Sequence, residues 1–300
     1  MELEAYRPSG EVPVTGQLLL ASIALLGGVG MGGLLFLVSK IVYLVVLFPI
    51  VVAAGAAAAV KYGVRRGKVR SPLAAGFYGL LLGLVIYSSY HYFDYLGFRA
   101  RARSDVTTVA EEEDVSLRSS QIELVIDDHL LDKTGRAGFT GFLTLKANAG
   151  VSIGDWFDAA SYSLGSIGTW FYWLAELAFI AGFAGYYGWH AAGYPYCESC
   201  NSWYGAGVYL GGVAESKKHK LVRLAERGDL KLAGELLEDH APLPGVRVYV
   251  ESCDTCESSG SRLVLKEAST GRGGERRSET VLQVMVSPGQ RDAIVKGTAD

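Results

Sequence analysis

Charge is scarce at the start of this chain: residues 1 to 98 hold only four acids and seven bases. A soluble domain of that length would carry far more, so a water-facing surface over most of the segment is excluded. Also missing are a Gly-x-Ser-x-Gly elbow, a His-Glu-x-x-His helix and a Walker-type loop, the local signatures of several hydrolase and nucleotide-binding classes. The net charge of -3 lacks the basic excess of a protein that holds nucleic acid by bulk electrostatics. Met1 to Glu11 has Glu2, Glu4 and Glu11 against Arg7 alone, unlike the cationic start of a secretory signal, so the first apolar run is expected to stay as an anchor. Cysteine occurs only four times in 300 residues, yet all four fall in two Cys-x-x-Cys pairs, Cys197/Cys200 and Cys253/Cys256.

What is present in the N-terminal two-thirds is long apolar sequence. About 20 such residues, at 1.5 Å each, cross the roughly 30 Å of a bilayer's hydrocarbon. Gln17 to Val38 has no charge, and Ile41 to Val60 follows it at once, so the chain is expected to turn near Ser39 and Lys40 and to kink at Pro49. A third span is read at 73–96, leaving lipid through an aromatic region with Tyr87, Tyr90, His91, Tyr92, Asp94 and Tyr95. A fourth is read at 164–190, with Trp170, Tyr172 and Trp173 near one end and Tyr186, Tyr187 and Trp189 near the other. Glycines 27, 28, 30, 32 and 33, and the alanines from Ala53 to Ala59, offer small faces on which helices can approach closely.

Orientation follows from Lys61, Arg65, Arg66, Lys68 and Arg70, five bases without an acid between the second and third spans, which belong in the cytoplasm. Four crossings then place both termini there. Arg99, Arg101 and Arg103 pull the other way. Residues 99–163 carry eleven acids, Asp155 and Asp158 among them, against seven bases, and read as an external, partly helical amphipathic segment or cap. His129, beside Asp127 and Asp128, reads as a solvated residue. Glu176 is the exception inside the fourth span: a carboxylate there is expensive and needs a partner. Tyr87, Ser88, Ser89, Tyr90 and His91 are the candidates, and either proton handling or a fixed helix register would justify it.

The C-terminal segment, 191–300, returns to ordinary soluble composition with fifteen acids and fourteen bases. A Cys-x-x-Cys turn aims two thiolates at one centre, and two such turns complete a tetrahedron. Tyr196-Cys197-Glu198-Ser199-Cys200 followed by Trp203 resembles the first knuckle of a zinc ribbon, similar to that of rubredoxin. Val246 to Val250, Cys253-Asp254-Thr255-Cys256 and Ser261 to Leu265 resemble its second half, with Thr280 to Val286 as a further strand. Between Cys200 and Cys253 lie 52 residues, where such ribbons use about 12 to 20. Two short helices over 213–239, broken at Gly228, are expected to absorb the excess. Lys217-Lys218-His219-Lys220 reads as a solvated helix face, and Ser269 to Glu279 as a mobile loop.

The chain as a whole is similar to a loose group of bacterial multipass membrane proteins, many of unassigned activity, that carry a cytoplasmic zinc-ribbon tail. That resemblance implies a metal and a docking module. In reduced cytoplasm the four cysteines suit a structural Zn²⁺; iron in a rubredoxin-like site would use the same ligands for electron transfer, and an external tail would favour disulfides or thiol exchange. His190, His219 and His240 are further possible ligands, but four thiolates already saturate the metal. The expected architecture is therefore an all-α membrane bundle of about four helices plus a small α+β zinc-ribbon-like domain. It would sit in the bacterial inner membrane as a partner-binding scaffold, possible as an oligomer, with lipid and an unidentified protein as partners. Nothing in the sequence points to an enzyme. The alternative is a membrane redox protein or a proton-coupled transporter that uses Glu176.

Overall fold

The uncharged run after Pro13 forms one helix, α1 (Val14–Ser39), which widens to π geometry over Ile23–Gly27. A computed structural model describes residues 4–40, 47–154, 161–256, 260–270 and 275–298. Next come α2 (Leu47–Gly67), α3 (Pro72–Glu112), α4 (Ser119–Thr134) and α5 (Gly138–Ala149). A two-stranded ribbon of β1 (Ser152–Gly154) and β2 (Ser161–Ser163) leads into α6 (Gly165–Ala192). The helices α1, α2, α3 and α6 are each long and apolar enough to cross a membrane. The start of the second expected span, at Ile41, lies outside the described residues, as do Asp155 and Asp158. Pro49 falls in the first described turn of α2.

Two compact units divide the chain: Val12–Ala192, and Gly193–Asp300 together with Met1–Glu11. In the first, helix direction is legible from which glycines meet which neighbours. A Cβ on Gly83 would lie 2.4 Å from the Cα of Ala181, and one on Gly79 would lie 2.5 Å from the Ala184 carbonyl oxygen. Rising numbers on α3 thus meet falling numbers on α6, and the two are antiparallel. Along α1, Gly28, Gly32 and Gly33 meet Val85, Ser89 and Phe93 in rising order, so α1 and α3 run the same way. The opposite faces carry large apolar side chains in the open: Leu26 and Leu34 on α1, Phe77 on α3, Phe171 and Leu174 on α6. Such faces suit hydrocarbon rather than water.

Two expectations are refined here. The helix that carries the third expected span, 73–96, runs on beyond it, because Pro72–Glu112 is one unbroken helix of 41 residues. Beyond the apolar part it carries a cap: Ile122, Ile126 and Leu130 form the buried stripe of α4, and Phe142 of α5 packs its ring 5.6 Å from Tyr95 and 5.2 Å from Phe98. Arg99 and Arg103 both donate to the Glu123 carboxylate of α4.

The second unit begins with a small hairpin, β3 (Tyr196–Cys197) and β4 (Ser202–Trp203). A four-stranded antiparallel sheet follows, in the order β5 (Val208–Ala214), β6 (Gly245–Glu251), β7 (Ser261–Thr270), β8 (Arg276–Val286). Alternation puts Val246, Val248 and Val250 of β6 on one face. There they meet Leu263, Leu265, Val284 and Val286 beneath α7 (Lys218–Arg227), α8 (Leu230–Gly234) and α9 (Pro288–Gly297). The expected break at Gly228 is a left-handed cap with φ 78°, a conformation that costs glycine little. Helix begins only after residue 214, however, since Val213 is a core residue of β5. The segment expected to be a mobile loop is strand on both sides, over Ser269–Thr270 and Arg276–Glu279; 271–274 lie outside the described residues. Lys218 is not simply solvated, because it pairs with Glu267 of β7 at 2.6 Å. Residues near the N-terminus join this unit: the Met285 N–H donates to the Glu4 carbonyl at 2.8 Å, which covers part of the exposed edge of β8.

Candidate metal centre and a buried polar cluster

The first Cys-x-x-Cys sits in the β3–β4 hairpin because Tyr196 and Trp203 pair across it, their rings 5.0 Å apart and edge to face. Asn201, at φ 53°, takes the left-handed turn position, which asparagine tolerates better than most residues. Its side-chain oxygen accepts from the Tyr196 hydroxyl. The second Cys-x-x-Cys follows the end of β6. Two bonds lash the knuckles together: Gly205 N–H to the Ser252 carbonyl at 3.0 Å, and the Tyr204 hydroxyl to the Gly260 carbonyl at 2.7 Å.

The result is convergence. The Sγ atoms of Cys197, Cys200, Cys253 and Cys256 all lie within 4.8 Å of one another, and none of the four is in a disulfide. Cys197 and Cys256, from different knuckles, are 3.6 Å apart. A tetrahedron with bonds of about 2.3 Å to Zn²⁺ has edges of about 3.8 Å, whereas a disulfide needs about 2.05 Å. The geometry fits four ligands around one ion, and this group could hold a metal. Cys197 and Cys253 are buried, and Cys200 and Cys256 are half-buried.

The thiols are electrostatically unequal. The Ser202 hydroxyl, 3.4 Å from Cys253 Sγ, is the largest influence that pushes the Cys253 thiol down to about 6. Cys200 is pushed up, first by its hydrogen bond with Cys256 and then by burial. Four neighbouring thiols cannot all ionise without a cation among them, so metal entry would release protons. Among the described residues no histidine joins the group.

In the helical unit, Glu176 has found partners. Its two oxygens accept from the Tyr87 hydroxyl at 3.1 Å and from the Tyr172 hydroxyl at 2.9 Å. Tyr87 was among the expected candidates, whereas Tyr172, one turn back on the same helix, was not. His91 is 5% exposed, its ring 4.7 to 5.0 Å from those of Tyr87, Tyr90 and Trp173. Neither of its nitrogens has a hydrogen-bond partner among the described residues.

Sequence reasoning missed the centre of this cluster. Asp94 is buried and takes Lys40 at 2.8 Å on one oxygen and Lys146 at 2.5 Å on the other. Lys40, a lone cation between two apolar runs, and Lys146, a lone cation on an apolar helix, were the available signals, because each needs a counter-charge. His129 is exposed, as its solvated reading requires.

Comparison of the chain with protein-family models, with curated proteins and with solved structures found no match.

Proposed function

We propose that this is a multipass membrane protein of the bacterial inner membrane whose C-terminal unit is a zinc-organised docking module in the cytoplasm. The convergence of four thiols from two knuckles carries this reading. A Zn²⁺ held by four thiolates is coordinatively closed, so it would supply folding energy instead of catalysis. Cys197, Cys200, Cys253 and Cys256 are the ligands.

Placement is supported by parity. Antiparallel α3 and α6, parallel α1 and α3, and a second unit built from both ends of the chain all suit an even number of crossings. Lys61, Arg65, Arg66, Lys68 and Arg70, five bases with no acid among them in the short link between α2 and α3, support a cytoplasmic place for that end, against the pull of Arg99, Arg101 and Arg103. For docking, the support is the sheet face turned from the helices. It presents the rings of Tyr209 and Tyr249, 5.6 Å apart, with the Lys266 ammonium 5.3 Å over Tyr249. Tyrosine beside cationic side chains is common at interface hot spots.

The test is metal analysis and absorbance of detergent-purified full-length protein beside a Cys197→Ser/Cys200→Ser variant. One zinc per chain, lost in the variant, is the expected result. Iron with visible thiolate charge-transfer bands would replace this reading with electron transfer, and an absence of metal with oxidised thiols would put the unit outside the cell.

A further inference from the structure

The cluster around Asp94 has more donors than acceptors. Lys40 and Lys146 each spend one N–H on Asp94, and an ammonium has three. Both line a cavity of about 270 Å³. His91 lines it too, only 5% exposed, with neither ring nitrogen hydrogen-bonded among the described residues. The carboxylates on the same wall are engaged: each oxygen of Asp94 takes a lysine, and each oxygen of Glu176 takes a tyrosine. The buried unmet donor is the single N–H of neutral His91, which is costly to leave unmet, while the remaining N–H groups of Lys40 and Lys146, whose side chains are 42% and 31% exposed, are open to a further acceptor.

A second cavity of about 250 Å³ shares His91 and Trp173 as walls, and the rest of it is mostly apolar, with Leu143, Leu174 and Leu177 among its lining. Leu174 belongs to the exposed apolar face of α6. A donor-rich chamber and an apolar cleft therefore flank the same two rings, His91 and Trp173, 4.9 Å apart. Beyond Glu176 the bundle closes, because Gly83 and Gly79 bring α3 against Ala181 and Ala184, an arrangement that suits holding a molecule better than passing one.

We propose that these neighbouring cavities together bind one anionic amphiphile that reaches past the His91 and Trp173 rings. Its phosphate or carboxylate accepts from Lys40, Lys146 and His91, and one acyl chain lies in the cleft beside Leu174. The inference rests on the helices lying in a bilayer and is independent of the thiol centre. Charge-assisted contacts of this kind give selectivity for an anionic headgroup over a zwitterionic one.

The test uses full-length protein in detergent. Native mass spectrometry would be titrated with phosphatidylglycerol and with phosphatidylcholine of the same chains, and equilibrium dialysis would follow inorganic phosphate. Phosphatidylglycerol should bind about tenfold tighter than phosphatidylcholine, equivalent to about 1.4 kcal/mol. His91→Phe keeps the ring packing and should leave the melting temperature unchanged, yet it should lower phosphatidylglycerol binding several-fold. Lys40→Arg/Lys146→Arg should retain binding. Ser88→Trp, at an exposed small residue on the cleft wall, should weaken the lipid and leave phosphate untouched. Equal binding of the two lipids, or no effect of His91→Phe, would overturn the proposal. Phosphate binding as strong as the lipid's, together with lipid binding indifferent to Ser88→Trp, would overturn the amphiphile in favour of a free anion.

Discussion

Removing metal from the C-terminal unit should loosen the knuckles without dissolving the sheet, and the reason is a comparison of magnitudes. The sheet has its own core: Val213, Val246, Val248, Leu263, Leu265, Leu221 and Ile294 are each at most 1% exposed. Each large apolar side chain so buried stabilises by about 1.5–3 kcal/mol, so these seven contribute on the order of 10–20 kcal/mol without help from the thiols. The knuckles have no such core. Holding roughly a dozen knuckle residues in place costs on the order of 12–24 kcal/mol of chain entropy. A structural Zn²⁺ offers about 10–16 kcal/mol, and the hydrogen bonds of Tyr204 and Gly205 add about 1 kcal/mol each. Gain and cost are of the same size, so losing the ion tips the knuckles toward disorder.

Hydrogen exchange read by mass spectrometry on the full chain, with and without a strong chelator, measures this directly. Amides of 196–203 and 252–256 should exchange faster by orders of magnitude, while those of Val246–Val250 and Leu263–Leu265 stay protected. Cys253→Ser should reproduce the pattern. Knuckle amides that remain slow after verified metal loss would refute the reasoning, and so would a sheet that loses protection together with them.

Other outcomes follow from particular contacts. Gly83→Leu forces α3 from α6 where a Cβ has 2.4 Å to the Ala181 Cα; it should destabilise by about 1–3 kcal/mol or more and lower the thermal midpoint in detergent. Gly182→Ala, where a Cβ meets nothing within 4 Å, should leave the midpoint level or raise it, since alanine is favoured in a helix by about 1 kcal/mol. Tyr87→Phe and Tyr172→Phe each strip one donor from Glu176, at about 1–3 kcal/mol apiece. A thermal scan of both singles and the double should show them to be coupled, because the survivor must hold the carboxylate alone. Tyr204→Phe, which loses the bond to Gly260, should weaken zinc retention in a chelator competition several-fold while the sheet's exchange protection is kept.

Local signals were legible where one residue type answers one constraint. Spans emerge from hydropathy because lipid demands it over every turn, and Gly228 announces a helix end because the left-handed cap is cheap for glycine. Some local signals went unused: Ser287-Pro288-Gly289-Gln290 is a capping box, with Ser287 accepting from the Gln290 N–H and Gln290 returning the contact, and it marks α9. The expected span 73–96 marks where the chain turns polar, and the helix itself continues to Glu112. A helix that leaves lipid to carry a cap keeps its hydrogen bonds and changes only its side chains.

Pairings across long separations were the illegible part, and the charges show why. Lys40, Asp94 and Lys146 are separated by about fifty residues at each step, and no window of sequence contains two of them. Each taken alone reads as an end marker where a helix meets water. Only once α1 and α3 run parallel and α5 packs against the bundle do they become one cluster around the buried Asp94. The same holds for Glu4 against Met285, and for Glu123 against Arg99 and Arg103.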